Sequence, residues 1–94
     1  MSDAYKTFRE VLEFPCRMEF KVIITALNPQ TIEEVKACLR TIEPQGLLEI
    51  TKPPRASRNG SYLSYSIPVK VSSEAHLERI YKEVAGLDGV LHVL

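Results

Sequence analysis

Hydrophobic positions along the chain alternate between two spacings, and each change of spacing marks an element. From Met18 to Ala26, Phe20, Val22 and Ile24 point one way while Glu19, Lys21 and Thr25 point the other. Period two with β-branched side chains predicts a strand with one buried face. Ile32, Val35, Leu39 and Ile42 then recur at steps of three and four, which draws one apolar stripe along a helix. Thr31 with Glu34 three residues later has the spacing of a capping box, and Glu33 and Glu34 suit the positive end of the helix dipole. Pro44-Gln45-Gly46 ends that helix, and Leu47 to Lys52 reads as a shorter second strand with Leu48 and Ile50 on one face.

Pro53 to Gly60 is the one long irregular stretch, and Asn59-Gly60 supplies residues that tolerate positive φ for a tight reversal. The third strand gives the clearest period of two, with Leu63, Tyr65, Ile67, Val69 and Val71 on one face. Pro68 interrupts it without a ladder donor, so a bulge or an outward-facing unpaired site is expected there. Ser72-Ser73-Glu74 caps a last helix striped by Leu77, Ile80, Tyr81, Val84 and Leu87. Asp88-Gly89 turns the chain into a final strand, Val90 to Leu94. Ahead of all this, Ala4 to Glu13 carries a short helical pattern that Phe14-Pro15 stops.

After that N-terminal helix the order is β-α-β-β-α-β. Each helix has one apolar stripe and each strand one apolar face, so both helices must cover the same side of one sheet. Right-handed crossovers that leave room for an intervening strand give an α+β fold, the ferredoxin-like split β-α-β sandwich. Its sheet is four-stranded and antiparallel, in the spatial order fourth, first, third, second. Residues 1–94 are expected to form one such domain, with 1–15 as an N-terminal extension. The expected core comprises Phe20, Val22 and Leu39, Leu63, Tyr65 and Ile67, and Leu77 with Ile80.

Composition narrows the function. Twelve basic and twelve acidic residues cancel, so no net field draws the chain to nucleic acid or an anionic membrane. No apolar run approaches the ~20 residues of a membrane span, and no secretory pattern opens the chain, so a cytoplasmic protein is expected. Cys16 and Cys38 lie among apolar residues and read as buried or partly buried free thiols. His76 falls in the first turn of the last helix and reads as solvated, while His92 alternates within the last strand. No carboxylate or cysteine joins either histidine at ligand or triad spacing. The expectation is no catalytic residue, no metal and no cofactor, and therefore no enzyme.

Two functions known on this topology set useful tests. Acylphosphatases bind phosphate with an arginine and a glycine-rich loop after the first strand, whereas here that loop reads Ala26-Leu27-Asn28-Pro29-Gln30. RNA-recognition domains stack bases on aromatics of the two central strands; here Tyr62 is the one exposed aromatic expected, beside Ser64 and Ser66, and nucleic-acid binding is not expected. The basic residues Lys52, Arg55 and Arg58 cluster around the long loop. Together with Gly60, Tyr62 and Ser64 they form the candidate contact site.

The segments Phe14-Pro15-Cys16, Lys21-Val22-Ile23, Ser57 to Ser64, Ile80-Tyr81-Lys82-Glu83 and Val90 to Leu94, in this order, resemble the YbeD-like family of small bacterial proteins of unknown function. The resemblance implies a ferredoxin-like sheet related to ACT regulatory domains, and brings no established activity or ligand. Ile24 stands where that family often has glycine, which argues against a pocket for a free amino acid. The function that follows is a non-enzymatic, ACT-like binding or regulatory module contacting a protein partner or small metabolite, with a nucleic-acid-binding domain using the open sheet face as the alternative and an acylphosphatase-like small enzyme third. It is expected to be a monomer or a weak homodimer.

Overall fold

The alternation along the first and third strands is realised as one long antiparallel ladder. The computed structural model describes residues 12–94. Strand β1 spans Cys16–Thr25, helix α1 Thr31–Ile42, β2 Arg55–Ala56, β3 Tyr62–Val71, α2 Glu74–Ala85 and β4 Val90–Val93. The sheet order is β2-β3-β1-β4 with antiparallel neighbours, the predicted ferredoxin-like arrangement. The predicted helix over Ala4–Glu13 lies outside the described residues except for Leu12 and Glu13, which are irregular.

Between β1 and β3 the pairing runs unbroken from Cys16↔Val71 to Thr25↔Tyr62. Opposite residues share a face, so Phe20, Val22 and Ile24 join Ile67, Val69 and Val71 on the helix side, and all six are buried. Ile32, Val35, Leu39 and Ile42 of α1 and Leu77, Ile80 and Val84 of α2 complete the core. The rings of Phe20 and Tyr81 meet edge to face, 5.5 Å apart at 70°. Of the expected core, Leu63 and Tyr65 are half-buried, because Tyr65 lines an open cleft between α1 and residues 50–54.

Two local expectations are corrected, those for the second strand and for the cap at Thr31, and at Pro68 the structure has the unpaired outward-facing site, one of the two outcomes expected there. The second strand does not run from Leu47 to Lys52. That segment touches β3 through a single bridge, Leu47↔Val69, and pairing resumes at Arg55↔Ser64. The chain advances eight residues from Leu47 to Arg55 but five from Ser64 to Val69, so three residues loop out. Prolines explain the gap: Pro53 and Pro54 on one side and Pro68 on the other all lack the N–H that a ladder needs. Pro68 makes no bulge in the central ladder, where it pairs with Glu19. Its carbonyl accepts from the Leu48 N–H at 3.0 Å, away from β1, so its donorless nitrogen also faces that outer edge.

The capping box at Thr31 does not form. Thr31 is already helical, its side chain is buried, and its Oγ1 has no partner among the described residues. Carbonyls of Asn28, Pro29 and Gln30 accept from the first helical N–H groups instead, so the preceding turn takes over the side chain's role. Ser73 does cap α2, accepting from the His76 N–H at 3.1 Å.

Truncating Ile67, fully buried at the centre of β3, to alanine is expected to cost roughly 2–5 kcal/mol in urea denaturation. A loss below about half a kcal/mol, the range typical of surface substitutions, would place that side chain off the helix-facing side.

Candidate functional site

Both helices lie on one side of the sheet, and among the described residues no helix covers the other side; the ladder register says what that side presents. Four strands contribute a row across its middle, Arg55, Ser64, Ile23 and His92, each opposite the next. Tyr62 pairs with Thr25 one row nearer the β2–β3 hairpin, and Lys21 pairs with Ser66 one row further away. Of the six candidate residues, Arg55, Tyr62 and Ser64 therefore share this open face. Lys52 reaches it by a salt bridge to Glu19, 3.1 Å long, and Arg58 and Gly60 form the tip of the hairpin.

The hairpin is internally saturated. Gly60 adopts φ 75°, as Asn59-Gly60 predicts, and its N–H donates to the Ser57 carbonyl at 2.9 Å. Asn59 Oδ1 accepts from the Ser57 and Ser61 hydroxyls at 3.1 and 2.7 Å and from the Ser61 N–H at 3.1 Å. Ser57 Oγ in turn accepts from the Tyr62 N–H. The hydroxyls and the Gly60 amide are thus engaged in holding the turn, which leaves Arg55, Arg58 and Tyr62 as its outward contact groups.

Charge is segregated although it sums to zero. The strands and the hairpin, residues 16–25, 52–71 and 90–93, carry Arg17, Lys21, Lys52, Arg55, Arg58 and Lys70 against Glu19 alone. Residues 31–49 and 74–89, the helices and their connections, carry eight acidic and four basic side chains. Arg17 and Lys70 lie directly opposite one another in the ladder, a like-charge pairing that destabilises a sheet. Among the described residues, Lys52 alone of the six cations has a counter-ion.

A second cluster lies below the C-terminal end of α1. Glu43, only 4 % exposed, accepts from the Ser72 N–H at 2.7 Å and the Ser72 hydroxyl at 2.6 Å. His76 Nδ1 lies 2.9 Å from Oε2, the oxygen that also accepts from the Ser72 N–H; a carboxylate only accepts, so the ring donates there. His76 is therefore a half-buried tether rather than the solvated residue expected. Burial pushes the Glu43 carboxyl up, but the Ser72 and His76 hydrogen bonds outweigh it and hold the group below its ordinary range. The serine proton points at the carboxylate and not at the imidazole, so the trio lacks the relay that activates a nucleophile. It is a clasp joining α1 to the start of α2. Nothing in the spacing of Glu43, Ser72 and His76 announces it.

Among the described residues no group of three or more His, Cys, Asp or Glu side chains is placed to hold a metal ion, and no helix is long and apolar enough to cross a membrane. Cys16 and Cys38 are half-buried free thiols. Burial first, then the charge of Glu83, raises the Cys38 thiol above its ordinary value, against a smaller lowering by Arg79. The loop after β1 exposes Leu27 almost completely, at 95 %.

Residues 9–94 match the model of the family described as "Protein of unknown function (DUF493)". The chain is 39% identical over 87 residues to a UPF0250 protein of Shewanella sp. strain ANA-3, covering 93% of this chain and 94% of the relative. A UPF0250 protein of Shewanella amazonensis is 35% identical over 88 residues, covering 94% of this chain and 96% of the relative. Among solved structures, protein HP0495 from Helicobacter pylori superposes with a TM-score of 0.62 at 24% identity, over 89% of this chain and 86% of that one. The C-terminal domain of the MgtC protein from Mycobacterium tuberculosis gives 0.61 at 19% identity, over 89% of each chain. At these identities both show a common fold and nothing further.

The clasp predicts an acid-sensitive contribution to stability. A carboxyl whose folded value lies below the ordinary 4.5 stabilises fully above that pH, and the contribution fades as pH falls through the folded value. Glu43→Gln is expected to cost on the order of 1–3 kcal/mol at pH 7. Below the folded value the wild-type and variant urea midpoints should converge. A constant gap down to acid pH would remove the carboxylate from the account.

Proposed function

The chain belongs to the DUF493 family of small bacterial proteins of unknown function, and on that premise we propose that it is a non-enzymatic, cytoplasmic binding or regulatory module. Its contact surface is the open sheet face together with the β2–β3 hairpin. The observation that carries this reading is a sheet face that no described helix covers, on which, among the described residues, every cation of the sheet and hairpin but Lys52 is without a counter-ion. Natural sheets use edge charges to prevent aggregation, but that purpose does not call for Arg17 opposite Lys70 in the central ladder.

The saturated turn supports the same reading. Internal hydrogen bonds fix the backbone that presents Arg55, Arg58 and Tyr62, so little ordering entropy remains to be lost on binding. Lys52 and Ser64 complete the surface from below, and Gly60 shapes it without contributing a donor. The partner is a protein or a small metabolite, and the module acts as a monomer or weak homodimer. β4 is an edge strand of four residues, short for tight strand-to-strand pairing.

Replacing Arg55, Arg58 and Tyr62 together with alanine tests the surface. Unfolding free energy is expected to stay within about 0.5 kcal/mol, as is usual for exposed positions, while capture of identified partners from a bacterial lysate is lost. If the variant stays folded and retrieves every partner of the wild type, the hairpin is only a connector.

A further inference from the structure

We propose that the open sheet face docks an acidic protein segment that carries apolar side chains between its carboxylates. This rests on reading that face as the contact surface, and adds the chemistry of what sits on it. The argument has three parts, each from a different observation.

The first is electrostatic. Arg17, Lys21, Arg55, Arg58 and Lys70 are cations of the sheet and hairpin with no counter-ion among the described residues. Of the four cations on the helices and their connections, Lys36 and Arg79 have counter-ions, Glu33 and Glu83, and Arg40 and Lys82 lie among an excess of acids. A flat low-dielectric surface with cations of one sign raises the local potential, so an acidic partner gains both orientation and encounter rate.

The second is apolar. Leu27, Tyr62, Leu91 and Leu94 are the exposed large hydrophobics of the described chain, and all lie on the sheet or the loop leaving β1. None lies on a helix. The Lys21 N–H donates to the Leu94 carbonyl at 3.0 Å, so Leu94 flanks Lys21. Half-buried Ile23 sits between Ser64 and His92 at the centre of the cross-strand row. A purely polyanionic ligand would leave this apolar surface wet, whereas a segment with apolar residues between carboxylates covers it.

The third separates protein from nucleic acid. A single strand binds a sheet face by stacking bases on aromatics of the central strands. On the open face of β1 the positions are Arg17, Glu19, Lys21, Ile23 and Thr25, and on the open face of β3 only Tyr62 is aromatic. One platform gives no run of stacked bases. The acid Glu19 at the centre of the ladder, already bonded to Lys52, also opposes a phosphate backbone crossing the strands.

The test is a titration of the isotope-labelled protein, followed residue by residue by NMR, with three probes at one ionic strength. They are a short synthetic peptide alternating glutamate with leucine, the same peptide with glutamine for glutamate, and single-stranded oligouridylate. The acidic peptide is expected to shift resonances of Lys21, Ile23, Tyr62, Ser64 and His92 and to weaken as salt rises. In Lys21→Glu and Arg55→Glu, each shown folded by its spectrum, its affinity should fall roughly tenfold, about 1.4 kcal/mol. Lys21→Gln, with no new charge, should give a smaller loss in the same direction. Absence of shifts on this face, equal binding of the glutamine peptide, or tighter binding of the oligonucleotide to the same residues would each overturn the proposal. So would self-association by sedimentation that Lys21→Glu abolishes, which would give the face to a second copy of the chain. If the hairpin alanine variant loses its partners while the acidic peptide binds nowhere, the contact surface stands and the acidic chemistry falls.

Discussion

The ten paired positions between β1 and β3 constrain everything else in the molecule. Because the side-chain period is two and the register never slips, a residue's parity decides whether it meets the helices or the solvent. Six side chains of one parity are buried under α1 and α2, and their transfer from water is the main stabilising term of so small a domain. Among the described residues, the other parity has no helix layer to cover it. The proposed contact surface is in this sense a by-product of the fold: two helices suffice to bury one face, and the second face can carry polar and charged side chains that the core would exclude.

What was legible in the sequence follows from the same rule. Strong periodicity identified β1, β3 and both helices, and one-sided stripes fixed the topology and strand order. The second strand was misplaced because Leu48 and Ile50 alternate convincingly, while the deciding feature is a missing donor at Pro53, Pro54 and Pro68 across the gap. Thr31 and Glu34 have capping-box spacing, yet the preceding turn already occupies the helix N–H groups. In the first case a proline distant in sequence, Pro68, joined two nearby ones in overriding a local signal; in the second the adjacent turn did so.

The candidate site was legible in part. Lys52, Arg55, Arg58, Tyr62 and Ser64 were visible as an unusual stretch, and Gly60 as a turn. Lys21 was already legible as outward-facing, but Arg17 and its pairing with Lys70 were not, since a balanced total charge hides a segregated distribution until register sets residues of two strands opposite one another. Glu43 was invisible for the opposite reason. Its three hydrogen bonds come from Ser72 and His76, some thirty residues further along the chain, and nothing local distinguishes it from a solvated glutamate.

The three residues looped out between Leu47 and Arg55 have a further consequence, for how such a domain varies across evolution. On either side of them the chain is pinned to β3, at Leu47↔Val69 and at Arg55↔Ser64. Residues added or lost between these pins change only the circumference of the loop, and the entropic cost of closing it rises slowly with length. An insertion anywhere in β1 or β3 would instead exchange the buried and open faces beyond it. Length differences among homologues should therefore concentrate at residues 48–54, which act as an expansion joint between the helix layer and the open sheet face.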